Sequence, residues 1–347
     1  MRILGIETSC DETAAAIIQA DKSAKKVKVL SNYVATSLAL HSKTGGIIPE
    51  VAAREQVKYI IPVIEKALEG NSIKDIDAIA VTVGPGLIGS LLVGIETAKT
   101  LSYIYKKPII PVNHLFGHIY ANFIENNLES RVHNSELGDI KFPLIALIVS
   151  GGHTDLVLMK NHRDYKWLGG TRDDAAGEAF DKTGRLLGLP YPAGPEIEKL
   201  SSTVHNDYYN FPKPLLDSND YDFSFSGLKT AILREIQKVK VMDKITTSNI
   251  CYSLQEAVFK ILIAKTLKAA KQYKVKSILL GGGVASNQTL RKEFELEIGN
   301  LKLKIPLFVP EKRFCTDNAA MIAAAAFFNY KEQSWKVITA NPELYFD

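Results

Sequence analysis

The chain has 347 residues, too long for one ordinary core, so two domains of roughly 150 residues each are expected. With 46% hydrophobic and 23% charged residues it has the balance of a globular protein, which excludes a disordered or fibrous chain. A net charge of +4 permits an anionic partner but falls short of the basic excess usual in a dedicated nucleic-acid module.

The start, MRILGIETSCDETAAAIIQA, has no long apolar stretch and carries acids, so it does not read as a signal peptide. RILGIET reads as a short buried strand, followed by a polar turn and the apolar run AAAIIQA. Residues 52–69, AAREQVKYIIPVIEKALE, carry apolar side chains at 57, 60, 61, 64 and 68, which predicts a helix with that face inward. DAIAVTVGPGLIGSLLVGIETAKTLSYIY predicts a strand, a glycine-proline turn and a helix. KKPIIPV is a further strand, running into NHLFGHIYANFI. Residues 125–141 are polar and aperiodic, and predict a loop at a lobe boundary. The second half begins again with the apolar strand FPLIALIVS, and GGHTDLVLM predicts a turn and a second strand. Residues 253–273 predict a strong helix, and KSILLGGGVASNQTLRKEF repeats strand, glycine loop and helix. Helix, strand, glycine loop and helix thus occur around 52–105 and again around 253–296, a duplication of pattern rather than identity. Strands alternating with helices predict an α/β fold whose two lobes bring glycine loops to one ligand cleft. No run reaches the ~18 charge-free apolar residues of a membrane span. Cys10, Cys251 and Cys315 are odd in number and far apart, which fits reduced thiols in a cytoplasmic protein.

His114 and His118 are four apart and share a helical face beside the apolar stripe of Leu115, Ile119 and Phe123. An ordinary helix with hydrogen-bonded imidazoles explains the pair, and so does half of a metal site. It is not the metalloprotease helix, because Leu115 stands where the glutamate base would be. A metal needs a further ligand, and the best remote candidate is Asp317 in RFCTDNAAMIAAAA, which a helix N-cap would explain equally well. Two histidines and a carboxylate leave coordination positions open, a set that suits Fe²⁺, with Zn²⁺ as the other option. In IVSGGHT, residues 148–154, backbone N–H groups can approach an anion or carbonyl, although a tight hairpin also accounts for the glycines. LLGGGVASN, residues 279–287, sets three glycines between strand and helix without matching a Walker loop or a dinucleotide fingerprint. VGPGLIGS reads as a structural turn. Asp174, Glu178 and Asp181 share one helical face, either as solvated acids with Glu178–Lys182 and Asp181–Arg185 pairs or as a grip on ribose hydroxyls. ETSCDET places Glu7, Asp11 and Glu12 just after the first strand. Lysines cluster at 22–28 (Lys22, Lys25, Lys26, Lys28) and basic residues run along 229–244 (Lys229, Arg234, Lys238, Lys240, Lys244). Both clusters are solubilising surface or candidate phosphate contacts.

Taken together, GIETSCDET, GGIIPEVAAREQ, VGPGLIGSLLVG, NHLFGH, LIVSGGHT, DDAAGEAFDKTGRLLG, FSFSGLKTA, GGGVASNQTLR and CTDNAAM occur in the order of the TsaD family. The chain resembles these tRNA adenosine threonylcarbamoyltransferases, once called O-sialoglycoprotein endopeptidases, from residue 1 to about 330, in the bacterial form. The resemblance implies an α/β fold of two related lobes of the actin/sugar-kinase/Hsp70 type around a central ligand cleft. The N-terminal lobe would be 1–126, completed by a helix at about 318–347, and the C-terminal lobe 127–317. It implies His114, His118 and Asp317 as ligands of one divalent metal, Fe²⁺ in preference to Zn²⁺. It implies that Ile148, Val149, Ser150, Gly151 and Gly152 hold the substrate near that metal. Asp181, Gly194, Glu198 and Asn287 would contact threonylcarbamoyl-AMP, and Asp11 or Glu12 would serve catalysis beside the reacting group. The implied partners are tRNA, a TsaB-like paralogue and a TsaE-like ATPase, with no membrane. The implied reaction moves the threonylcarbamoyl group to N6 of adenosine 37 and releases AMP. A non-catalytic scaffold of the same fold and a metalloprotease are the alternatives, the latter disfavoured. A sugar or acetate kinase would want an aspartate where Glu7 and Thr8 stand. The chain departs from the family pattern at Ala193, where a first glycine is usual, at Gln56, where histidine is common, and in the Ala285–Ser286 order before Asn287.

Overall fold

The computed structural model describes residues 1–125, 138–204, 206–239 and 241–346. Most of the expected loop at 125–141, the expected lobe boundary at 126 and Lys240 of the basic run lie outside them. The chain divides into two compact units, Met1–His133 with Pro310–Asp347, and Asn134–Val309.

The first unit is built on strands β1 (Arg2–Glu7), β2 (Glu12–Gln19), β3 (Lys28–Thr36), β4 (Ala78–Gly84) and β5 (Ile109–Asn113), in the sheet order β3-β2-β1-β4-β5. β1–β2 and β2–β3 pair antiparallel, β1–β4 and β4–β5 parallel. Its helices are α1 (Leu38–Thr44), α2 (Pro49–Ala67), α3 (Ile88–Tyr105), α4 (His114–Tyr120), α10 (Lys312–Cys315) and α11 (Ala319–Phe328). The second unit has β6 (Leu144–Val149), β7 (Thr154–Met159), β8 (Tyr165–Gly170), β9 (Ser277–Gly281) and β10 (Leu307–Phe308), in the order β10-β9-β6-β7-β8. Its helices are α5 (Ala176–Leu186), α6 (Gly194–Ser201), α7 (Ser226–Lys238), α8 (Lys244–Gln272) and α9 (Gln288–Asn300). β1 to β5 correspond one by one to β6 to β10, so the duplicated pattern extends to every strand of both sheets.

The strands follow from apolar runs that are buried on both faces. β4, β6 and β9 are buried at every position, as sheet interiors covered by helices require. One expectation fails at α2. The helix forms, but Val57 is 64% and Ile61 52% exposed, while Ala52, Gln56, Ile60, Val63, Ile64 and Ala67 face inward. The inward stripe passes through a glutamine, so an apolar count tilts the predicted face by about one residue. α11 is an alanine-rich helix buried along nearly its whole length, and it lies against β1 closely enough that a Cβ at Gly5 would fall 2.3 Å from the Ala319 carbonyl. Among the described residues no helix is long and apolar enough to cross a membrane.

Candidate metal centre

β5 ends at Asn113, whose side chain accepts a hydrogen bond from Leu115 N and starts α4. This start places His114 and His118 on one face, 5% and 0% exposed. Asp317 meets them from the segment before α11. The cap of that helix is Asn318, which accepts from Met321 N, so Asp317 does not serve as the N-cap. Its Oδ1 instead lies 3.5 Å from His114 Nε2 and 3.3 Å from His118 Nε2. One ligand atom from each of the three residues falls within 4.8 Å of the others, so the cluster could hold a metal ion.

The donor set fits such an ion on its own evidence. His118 Nδ1 is buried without a hydrogen-bond partner and Nε2 has only Asp317 Oδ1 at 3.3 Å, and a stranded ring nitrogen costs roughly 1–3 kcal/mol. Burial, then the charge on His114, push His118 down and keep it in the neutral form that can ligate, against the pull of Asp317. Burial opposes charge on His114 as well, but the carboxylates of Asp317 and Glu7 outweigh it and raise the ring to about 9. Two carboxylates thus surround a place that demands a cation, which the His114 proton supplies when no metal does.

Sequence reasoning missed the role of Glu7. It is fully buried, accepts from Ser9 N at 2.5 Å and from Thr82 Oγ1 at 2.6 Å, and stands 3.1 Å from His114 Nδ1. A carboxylate on Nδ1, the usual outer partner of a ligating histidine, fixes a proton there, so that Nε2 is the nitrogen that would ligate a metal. The available signal was an acid closing an otherwise apolar strand. Asp11 stands in the turn between β1 and β2, and Glu12 opens β2. Burial, then Asp317 and Asp11, hold the Glu12 carboxyl well above its usual range. Burial and the same acids push the half-buried Cys10 thiol well up, which removes it as a nucleophile.

In the second unit, Ile148 and Val149 end β6 and the turn that follows is Ser150–Gly152. Ser150 N donates to His153 O at 2.8 Å, so that amide is engaged within the turn. A Cβ at either glycine would meet nothing within 4 Å. The α5 N-terminus packs beneath the turn, with Gly177 N donating to Ser150 O at 3.1 Å.

Of the four other residues expected at the adenylate, Asp181, Glu198 and Asn287 are each held by hydrogen bonds to neighbouring residues. Asp181 Oδ1 accepts from Ala193 N at 2.7 Å, beside Gly194 at the head of α6. Glu198 on the same helix accepts from Gln288 N at 2.6 Å. Asn287 caps α9 through Leu290 N at 3.0 Å and donates to Gln255 at 3.1 Å. Gly194 has open space where a side chain would be, while the departure at Ala193 is accommodated because a Cβ at Gly184 would lie 2.1 Å from its methyl. Lys182 pairs with Asp174 at 2.6 Å and Glu178 at 3.0 Å, so those two acids make a surface ion network. Burial raises the Asp181 carboxyl, against the Ala193 amide and Arg185.

The model of the family "TsaD: tRNA N6-adenosine threonylcarbamoyltransferase" matches residues 28–324. The tRNA N6-adenosine threonylcarbamoyltransferase of Moorella thermoacetica is 44% identical over 98% of this chain and 95% of its own. Those of Persephonella marina (46%, covering 97% and 92%) and Thermosipho melanesiensis (48%, covering 99% and 99%) are similar over the same span. Among solved structures, HypF from T. kodakarensis superposes with a TM-score of 0.60 at 15% identity, covering 94% of this chain and 47% of that one. Full-length HypF in a phosphate- and nucleotide-bound form gives 0.55 at 13%, covering 98% and 56%. Likeness at such identities speaks for the fold alone, an α/β fold of the actin/sugar-kinase/Hsp70 type. With the family model matched over most of its length and relatives this similar from end to end, the chain belongs to the TsaD family of tRNA N6-adenosine threonylcarbamoyltransferases.

Proposed function

We propose that the chain transfers the threonylcarbamoyl group from threonylcarbamoyl-AMP to N6 of adenosine 37, in tRNAs reading codons that begin with A. The observation that carries this reading is the convergence of His114, His118 and Asp317, in a chain 44–48% identical to named transferases over nearly its whole length. The amine attacks the carbamoyl carbonyl, the mixed-anhydride bond between the carbonyl carbon and the phosphate oxygen breaks, and AMP leaves with the electron pair. The amine proton passes to a carboxylate of the first turn, Asp11 or Glu12. A divalent ion held by His114, His118 and Asp317, Fe²⁺ in preference to Zn²⁺, would supply Lewis-acid polarisation of the carbonyl. Glu7 orients His114 for that role. The Gly151 and Gly152 amides would donate to the oxyanion, and Asp181, Gly194, Glu198 and Asn287 would hold the adenylate, with Ile148 and Val149 setting the height of the turn.

A protease is disfavoured by geometry as well as sequence, since Leu115 is fully buried and no base follows His114. A scaffold would have no use for three converging ligands with an outer carboxylate. On the resemblance, the reaction takes place in the cytoplasm with a TsaB-like paralogue and a TsaE-like ATPase. The test is mass spectrometry of nucleosides from unmodified tRNA incubated with the adenylate, the protein and those partners. Threonylcarbamoyladenosine is the expected product, and its absence overturns the reading.

A further inference from the structure

The turn from Thr8 to Glu12 is tied down at every carbonyl. Ser9 O accepts from Leu87 N at 2.8 Å, and Asp11 O from Ser37 N at 3.2 Å and Ser37 Oγ at 3.0 Å. The remaining three converge on one side chain. Gln56 Nε2 lies 3.4 Å from Thr8 O, 2.9 Å from Cys10 O and 3.0 Å from Glu12 O, and Ser90 Oγ adds a second donor to Cys10 O at 3.1 Å. Gln56 is fully buried in α2, and its own Oε1 is buried without a hydrogen-bond partner. An apolar residue of the same length would fill that place without stranding an acceptor, so packing alone does not account for a glutamine there. What it adds is an N–H pair aimed at a turn with alternate carbonyls on one side. That turn reaches the metal centre directly, with Ser9 Oγ 3.2 Å from His114 Nδ1.

We infer that Gln56 is a positioning residue for the transfer, holding the turn so that Asp11 and Glu12 stand at a fixed reach from the His114, His118 and Asp317 cluster. The inference rests on the acyl-transfer reading and deepens it. It also explains how α2, which contributes no residue to the chemistry, is coupled to it. The single donor of an imidazole could replace part of the amide, whereas a thioether replaces none of it.

The test compares Gln56→Met, Gln56→His and Ser90→Ala in the tRNA nucleoside assay with the same partners. Bound metal is measured on each variant, and hydrogen exchange is followed on peptides spanning residues 5–13. Gln56→Met should lower kcat about 10- to 100-fold through loss of alignment, with KM for both substrates within about threefold and metal content unchanged. Amides of the turn should exchange faster while the rest of the chain keeps its protection. Gln56→His should recover part of the lost kcat. Ser90→Ala, which removes the lesser tie, should lose about threefold. If Gln56→Met does not fold, Ser90→Ala and Gln56→His carry the comparison, and wild-type kcat with wild-type exchange in both overturns the inference. Wild-type kcat in Gln56→Met, or a loss that tracks metal release or global unfolding, overturns it as well. Failure of the wild type to make threonylcarbamoyladenosine overturns the acyl-transfer reading itself, a different result from an active enzyme indifferent to Gln56.

Discussion

His114 touches both a carboxylate that would share its metal and a carboxylate that sets its tautomer, so the two contacts can be separated by substitution. Glu7→Gln keeps the side-chain shape but offers one acceptor oxygen where two are used, and removes the charge opposite Nδ1. Metal affinity measured by competition with a chromophoric chelator should fall about 10- to 100-fold, the usual effect of losing an outer-shell partner. Unchanged affinity would show that Glu7 serves only the turn. The histidine pair and Asp317 were visible in the sequence by residue type, and their association became specific only through the order of motifs around them. Glu7 and Gln56 were not visible as contributors. A buried polar side chain is recognised by its partners, and the partners of Glu7 at Thr82 and His114 lie 75 and 107 positions away.

At the scale of elements, the metal centre depends on how closely α4 lies on α11. A Cβ at Gly117 would fall 2.8 Å from Ile322 Cδ1 and 3.1 Å from Met321 Cγ. A Gly117→Leu substitution overpacks this contact, at a cost of about 1–3 kcal/mol or more. It should move the histidines relative to Asp317, lowering metal affinity together with the melting temperature. A melting temperature that drops while affinity stays would show that the ligands adjust independently of the helix contact. In α9, burial, then Glu256 and Glu297, raise Glu293 to about 7. This folded value lies above the unfolded one of about 4.3, so the contribution is fully present below about pH 4 and is lost as pH rises through 7. Glu293→Gln should therefore gain on the wild type between pH 5 and pH 8, by about 1 kcal/mol once its partial exposure is allowed for. An advantage that is equal at both pH values would contradict this. Helices and central strands were legible because their apolar runs are long and buried. β3 and β8 were not, since they are half-exposed edge strands with no clean alternation. The inward face of α2 was misread for a related reason, because the buried position at its centre is Gln56.

At the scale of the whole molecule, the repeated helix, strand, glycine loop and helix was the legible part of a complete five-strand correspondence, β1–β5 with β6–β10. Each unit carries a candidate site segment after its first strand, Ser9–Glu12 after β1 and Ser150–Gly152 after β6. The two units differ in chemistry: the first carries the histidine and aspartate cluster, and the second carries open glycines and polar side chains held by hydrogen bonds. On that division the metal ligands do chemical work rather than fill a core. The measurement that bears on it most directly is the yield of threonylcarbamoyladenosine from unmodified tRNA and the adenylate, compared between the wild type and a His114→Ala/His118→Ala variant shown by circular dichroism to be folded. The account predicts modified nucleoside from the wild type and a loss of at least about 100-fold in the variant, on the scale of several kcal/mol of transition-state stabilisation. Equal yield from both would contradict it.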